Sequence, residues 1–232
     1  MNGSIVVTGA ARGIGRAISS RLAANPSLTV IGVDISPDLA SVDDIVPVQT
    51  DLTNDDGVDA VTRTVEESGS PLLGIVNNAG ITRDARLVNM TDEDFAAVLD
   101  VNLGASYRLS DALAPLMTEG GSIVNIASRA YLGNFGQFNY SMSKGGLVGL
   151  TRAMALSLAP GIRVNAVAPG LIGTEMAMAI PEDVLDKMVA AIPLGRMGSP
   201  DEIANVVWFL LTPLSSYVTG HVLVVGGGRS LS

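Results

Sequence analysis

Seven short apolar runs, separated by stretches of helical periodicity, constrain this chain more than any other feature it has. They fall at residues 4–8, 29–34, 46–49, 74–77, 121–127, 163–168 and 222–225. A strand covered on both faces reads as a near-continuous apolar run, and such runs alternating with helices build βαβ units around a parallel sheet. The expected class is therefore α/β, a doubly wound seven-stranded parallel sheet with helices on both faces. Two stretches, 91–118 and 139–158, read as long helices with apolar residues on more than one face. Each is expected to meet a neighbour as well as the sheet.

Composition narrows the chemistry. With no Pro/Gly/Ser-rich or charge-rich linker in 232 residues, one large domain is expected, 1–232. The absence of cysteine excludes disulfides and thiolate metal sites, and His221, the single histidine, cannot form a histidine cluster for zinc. A formal net charge of -9 has the wrong sign for a phosphate backbone, so no nucleic-acid partner is expected. Residues 203–228 carry no formal charge and are long enough to span a bilayer. Asn205, Thr212-Pro213, Ser215-Ser216 and Thr219-Gly220 instead divide them into a helix, a turn and a short strand, so no membrane partner is expected. The opening residues lack a basic n-region and run straight into the first apolar run, which fits a cytoplasmic protein.

That first run ends in Thr8-Gly9-Ala10-Ala11-Arg12-Gly13-Ile14-Gly15, and a helical pattern follows at once. Glycines at a strand-to-helix turn let the backbone bend tightly and approach a pyrophosphate, while the helix N-terminus supplies N–H donors and the positive end of its dipole. Gly9, Gly13, Ile14 and Gly15 thus mark a dinucleotide site in a single-domain Rossmann fold. The second run ends at Asp34, about 20 residues further on, where a carboxylate accepts hydrogen bonds from an adenosine ribose and repels a 2′-phosphate. NAD is favoured for that reason. Arg12, inside the loop, is able to pair with a 2′-phosphate and keeps NADP possible. Asp51 and Leu52, after the third run, are expected at the adenine, with an ordinary turn or helix cap as the other use of Asp51.

Tyr140 and Lys144 stand four residues apart in the second long helical stretch, with Ser128 twelve positions upstream. On a helix this spacing puts phenol and ammonium on one face, where the cation is expected to favour phenolate and lower the tyrosine pKa. A tyrosine so tuned donates or accepts a proton near neutral pH. The same spacing also arises by chance, so its meaning depends on its neighbours.

Those neighbours carry a resemblance. Thr8-Gly9-x-x-x-Gly13-Ile14-Gly15, Asn77-Asn78-Ala79-Gly80, Asn102, Ser128, Tyr140-x-x-x-Lys144 and Pro169-Gly170, in this order, resemble the short-chain dehydrogenase/reductase family across nearly the whole chain. The resemblance implies interconversion of a ketone and a secondary alcohol. Tyr140 would give a proton to the carbonyl as hydride arrives, and take it back in the oxidative direction. Ser128 would hold and polarise the substrate oxygen. Lys144 would bind the nicotinamide ribose and depress the tyrosine pKa, and Asn102 would hold a water linking the lysine to bulk solvent. Asn78, Ala79 and Gly80 would close the cofactor pocket on the adenosine side. Pro169, Gly170, Ile172 and Thr174 would lie along the nicotinamide carboxamide. Two departures stand out: the Ser128 to Tyr140 spacing is one residue tighter than the commonest family pattern, and the segment before Gly161 is trimmed.

Residues 78–84, 192–196 and 200–204 resemble 3-oxoacyl-thioester reductases within that family, which implies a 3-oxoacyl or 3-hydroxyacyl thioester. A polyol, a steroid or a cyclic dihydrodiol suits the same chemistry, and a non-catalytic dinucleotide-binding regulator is the alternative of a different kind. Residues 114–120 contain no base to steer an acidic carrier protein, leaving Arg83, Arg86 and Arg129 as the basic residues near the expected cleft. Residues 173–195 fall where the family carries a substrate lid, and Met176 and Met178 would give it a soft apolar wall. The resemblance also implies a homotetramer (or dimer), with the long helices pairing across one interface and residues 222–225 in another.

Overall fold

The computed structural model describes residues 1–230, without the side chain of Met176. Its strands are β1 (Gly3–Thr8), β2 (Leu28–Asp34), β3 (Val46–Gln49), β4 (Leu72–Asn77), β5 (Met117–Ile126), β6 (Ile162–Pro169) and β7 (Val222–Val225). All pair in parallel, in the order β3-β2-β1-β4-β5-β6-β7. The winding direction reverses between β1 and β4, and in open α/β sheets ligands bind outside the carboxyl ends of the strands at such a point. Thr8 and Asn77 are those ends here.

The period-2 alternation of a strand divides the core in two. Ile5 and Val7 of β1 point to one face, with Val76 and Val124, and meet Ile18 and Leu22 of α1 (Gly13–Ala23) and Ile203, Val207 and Leu210 of α8 (Pro200–Leu211). Val6 points to the other, with Ile75 and Ile123, and meets Val58, Val61 and Val65 of α2 (Asp55–Glu67) and Leu109 and Leu113 of α4 (Ala105–Leu113). Fully burying each of these aliphatic side chains is worth about 1.5–3 kcal/mol. The start of α8 is set by a capping box: Ser199 Oγ accepts from the Glu202 N–H, and the Glu202 carboxylate accepts from the Ser199 N–H. The uncharged stretch 203–228 resolves into most of α8, a turn and β7, and among the described residues no helix is long and apolar enough to cross a membrane.

One element differs from the sequence expectation. Residues 91–118 do not form a single helix: α3 (Asp92–Leu99) passes through a π-helical segment at Asp100–Gly104 into α4, and β5 has already begun at Met117. The widened turn follows from tertiary hydrogen bonds that Asn102 makes to Ile81, and Pro115 cannot extend an α-helix. The second long helix, α5, runs over Phe138–Ser157, close to the expected 139–158.

Candidate active site

The carboxyl ends of the strands frame a cleft of about 1140 Å³. Thr8 fastens the two central ends together. Its Oγ1 accepts from the main-chain N–H groups of Asn78 and Ala79, both at 2.9 Å. Asn78 returns the tie, its Nδ2 donating to the carbonyls of Thr8 (3.0 Å) and Gly9 (3.2 Å). The glycine loop is thereby held from below. A Cβ on Gly15 would overlap the Gly9 carbonyl oxygen and stand 2.5 Å from Asn78 Nδ2, so only glycine lets α1 begin this close to β1. Gly9 at φ +65° turns the chain where other residues are strained. Among the described residues no side chain caps α1, and Gly13 and Ile14 at its start line the cleft. The first-turn N–H groups and the helix dipole suit a pyrophosphate there.

Asp34 lies at the same end, half-buried. Its Oδ2 accepts from the Ala11 N–H and its Oδ1 from the Ser36 N–H, each at 3.0 Å. The carboxylate thus braces the glycine loop, and each oxygen keeps a lone pair for a ribose hydroxyl. Arg12 is exposed at the lip. Asp51 makes the turn that was the other use of it, its Oδ1 accepting from both the N–H (2.9 Å) and the hydroxyl (2.8 Å) of Thr53. It still lines the cleft, as does Leu52.

At the opposite end, Ser128 follows β5 and meets Tyr140 and Lys144, which project from one face of α5 into the cleft. The Ser128 hydroxyl is near enough to the Tyr140 phenol to favour its ionised form. Ser128 Oγ also accepts from the Ala130 N–H at 3.1 Å, which fixes its rotamer. Lys144 is 3% exposed and donates from Nζ to the Ile126 carbonyl at 2.8 Å. Burial lowers its pKa from 10.5 to about 8. The expected lowering of the Tyr140 pKa is not what the chain by itself produces. Burial pushes the phenol up, the Ser128 hydroxyl pulls it down, and the charge of Asp84 pushes it up again. Lys144 does not offset this, because Nζ is turned to the Ile126 carbonyl and sits 5.7 Å from the centre of the Tyr140 ring. The result is a phenol kept protonated at neutral pH, beside an amine able to give up a proton.

Asn102 and Gly15 do not line the cleft but stand behind it. Asn102 is fully buried in the π-helical segment. Its Oδ1 accepts from the Ile81 N–H (2.8 Å), and its Nδ2 donates to the Ile81 carbonyl (3.1 Å) and to Ser143 Oγ (3.0 Å). Both amide protons are used, so the side chain braces α5 and the loop after β4, while the residue's carbonyl oxygens keep acceptor capacity. Pro169, Gly170, Ile172 and Thr174 line the third wall. A Cβ on Gly170 would lie 2.7 Å from Gly226 Cα, so this wall is packed backbone to backbone. Asn78, Ala79 and Gly80 complete the floor.

Sequence reasoning assigned no role to Thr8, to Ser143, to Gln137, which donates to Asp84 Oδ2 at 2.9 Å, or to Arg229, which lines the cleft. The position of Thr8 at the end of the first run was the available signal for it; the others come from distant parts of the chain and leave none. Met178 is 63% exposed and absent from the cleft wall, which uses Ala177, Ile180 and Met188 instead. Met176 lies outside the residues whose side chains are described.

A pyrophosphate cradle, a ribose acceptor and a Ser-Tyr-Lys group within one cleft fit a nicotinamide dinucleotide and a carbonyl or alcohol. The chain belongs to the short-chain dehydrogenase/reductase family and is an oxidoreductase. The family described as "Enoyl-(Acyl carrier protein) reductase" matches residues 9–230. Among relatives, the 3-oxoacyl-[acyl-carrier-protein] reductase FabG of Thermotoga maritima is 42% identical over 238 residues, covering 96% of this chain and 96% of its own. The protein of the same name from Aquifex aeolicus is 42% identical, covering 96% of this chain and 95% of its own. A crystal structure of a short chain dehydrogenase family protein from Francisella tularensis superposes with a TM-score of 0.91 at 30% identity, covering both chains completely.

Proposed function

We propose that this protein interconverts a 3-oxoacyl thioester and the corresponding 3-hydroxyacyl thioester, with NAD preferred over NADP. The observation that carries the reading is the meeting of the Ser128 and Tyr140 hydroxyls in one cleft, with buried Lys144 behind them on α5. Two hydroxyls at one point suit an oxygen atom, which favours a ketone over a carbon–carbon double bond as the acceptor. A bound nicotinamide dinucleotide supplies the hydride. Ser128 then holds the carbonyl oxygen, and Tyr140, held as a phenol, donates its proton to that oxygen. Lys144, with its pKa near 8, reaches the nicotinamide ribose and helps reprotonate the phenolate. Asn102 positions α5 through Ser143 and holds the water that links Lys144 to solvent.

Relatives named as 3-oxoacyl-[acyl-carrier-protein] reductases support the thioester. NAD is favoured by Asp34, whose negative charge opposes a 2′-phosphate. Gly9, Arg12, Gly13 and Ile14 take the pyrophosphate side, Asp51 and Leu52 the adenine, and residues 169–174 the carboxamide. Residues 173–195, with α6 (Glu175–Met178) and α7 (Glu182–Ala190), act as a lid. In support, Leu171, Ala177 and Ile192 form a small apolar cluster of their own with Leu185, Met188, Val189 and Met197, separate from the two main cores. A homotetramer in the cytoplasm completes the proposal. Its supports are a shallow apolar hollow along α3, α4 and α5, lined by Ala96, Leu99, Leu103, Tyr107 and Leu150, and the edge position of β7, where Val224 is 40% exposed.

The direct test is a panel of acetoacetyl-CoA, a polyol, a steroid ketone and a cyclic dihydrodiol, run with NAD(H) and NADP(H) in parallel. Acetoacetyl-CoA turned over fastest, and with NADH, is the expected result. Preference for another class, or for NADPH, overturns the corresponding part.

A further inference from the structure

Asn139, the residue before Tyr140, is fully buried and does not line the cleft. Its side chain nevertheless spends both amide protons on other parts of the fold. Nδ2 donates to the Arg83 carbonyl at 3.0 Å, in the loop after β4, and to the Asp94 carbonyl at 3.2 Å, in the first turn of α3. Oδ1 accepts from the Tyr140 N–H at 2.8 Å. That N–H belongs to the first turn of α5, where the helix itself offers no acceptor. Gln137, at the N-cap position, makes no capping bond and turns its amide to Asp84 instead. One buried amide therefore ties the main chain of Tyr140 to two separate segments.

The contacts around it belong to the same junction. Phe138 stacks on Phe95 of α3, with ring centroids 6.0 Å apart. Arg83 and Asp94 also pair outside the amide, Nε to Oδ1 at 3.7 Å, but both are exposed, and an exposed pair contributes little. From the other direction Ser143 Oγ donates to the Tyr140 carbonyl at 2.8 Å while accepting from Asn102 Nδ2. Side chains thus hold both the N–H and the C=O of Tyr140.

We propose that Asn139 is a positioning residue for the proton donor: it sets the start of α5 against α3 and the loop after β4, and so fixes where the Tyr140 hydroxyl meets Ser128. The proposal rests on the reading of Tyr140 as that donor and adds the residue through which its place is kept. Tyr140 lies in a first turn, and helix ends fray. Ser128 lies on another element, after β5. A misplacement of about 1 Å between reacting groups costs up to about 10²-fold in rate. Asn139 lies outside the cleft, so its effect passes through Tyr140.

A double-mutant cycle tests this, with Asn139→Ala, Tyr140→Phe and the pair, read as kcat at saturating NADH for acetoacetyl-CoA or whichever ketone of the panel is reduced fastest. Asn139→Ala is expected to lower kcat by about 10–10²-fold in the wild-type background. In the Tyr140→Phe background, with no hydroxyl left to place, the loss is expected to be less than about twofold. Equal losses in both backgrounds overturn the proposal, because a merely structural role costs the same with or without the hydroxyl. Asn139→Ser separates the two uses of the amide. Its hydroxyl is able to accept from the Tyr140 N–H but is too short to reach both carbonyls, so kcat is expected to fall as in Asn139→Ala. Wild-type kcat in Asn139→Ser overturns the tie to Arg83 and Asp94. If Asn139→Ala does not fold, or Tyr140→Phe turns over too slowly to compare, the solvent isotope effect on kcat decides. It is expected to be larger in Asn139→Ser than in wild type, since a misplaced phenol makes proton transfer the slow step, and an unchanged effect overturns the proposal. An unimpaired Tyr140→Phe overturns the donor reading and the positioning role with it. An impaired Tyr140→Phe beside a fully active Asn139→Ala overturns the positioning role alone.

Discussion

Removing the Lys144 ammonium gives a prediction whose size follows from the structure. The side chain is 3% exposed, and burial takes its pKa from 10.5 to about 8. Between those values the folded chain releases a proton that the unfolded chain keeps, and stability rises with pH wherever the unfolded state binds more protons. Below about pH 8 both states hold the proton and the buried cation is a net cost. From about pH 8 to 10.5 that cost is relieved by about 1.4 kcal/mol per pH unit, roughly 3 kcal/mol in all. Lys144→Met abolishes the titration with little change of volume, but it leaves the Ile126 carbonyl without its 2.8 Å donor, a loss of about 1–3 kcal/mol. At neutral pH the two effects oppose each other, so the slope is the informative quantity. Urea unfolding of the dinucleotide-free protein at about pH 7.5, 9 and 10, at one protein concentration, is expected to show wild type gaining roughly 2–3 kcal/mol on the variant. The raised pKa of Tyr140 acts in the other direction above about pH 10 and in both proteins, which sets the upper end of the range. Parallel curves for the two proteins would refute the claim that Lys144 is buried at a cost as a cation.

Gly15→Ala places a methyl group against the Gly9 carbonyl and Asn78 Nδ2. Overpacking of this kind costs about 1–3 kcal/mol, and the dinucleotide Kd, measured by NADH fluorescence, is expected to rise at least tenfold; an unchanged Kd contradicts the close approach of α1 to β1. Asp34→Asn keeps an acceptor for the loop while deleting the charge, so the preference for NADH over NADPH in kcat/KM is expected to narrow by about tenfold, or 1.4 kcal/mol. A constant ratio removes Asp34 as the selector.

The strands were legible because a parallel sheet buried on both faces writes its strands as apolar runs, and β3 and β7 coincide with the expected residues. The break in 91–118 was not. Helix periodicity continues smoothly across Asn102, and what widens the turn is a set of hydrogen bonds to Ile81, 21 residues away in sequence. The grouping of Ser128, Tyr140 and Lys144 was legible from spacing, and their electrostatics were not. An i, i+4 pair predicts attraction between cation and phenolate only if the lysine faces the hydroxyl, and the carbonyl of Ile126 draws it elsewhere. Asn102 was named through the resemblance, whereas its bonds to Ile81 and Ser143, which brace α5, left no signal in the sequence. Arg229 was silent for a simpler reason: only the return of β7 beside β6 brings the end of the chain to Ser128.

The central claim is that Tyr140 is the proton donor, and Tyr140→Phe tests it most directly because the ring stays and only the hydroxyl leaves. With acetoacetyl-CoA and saturating NADH, kcat is expected to fall by about 10²–10⁴-fold, with dinucleotide Kd and thermal midpoint close to wild type. Retention of wild-type kcat would contradict the account.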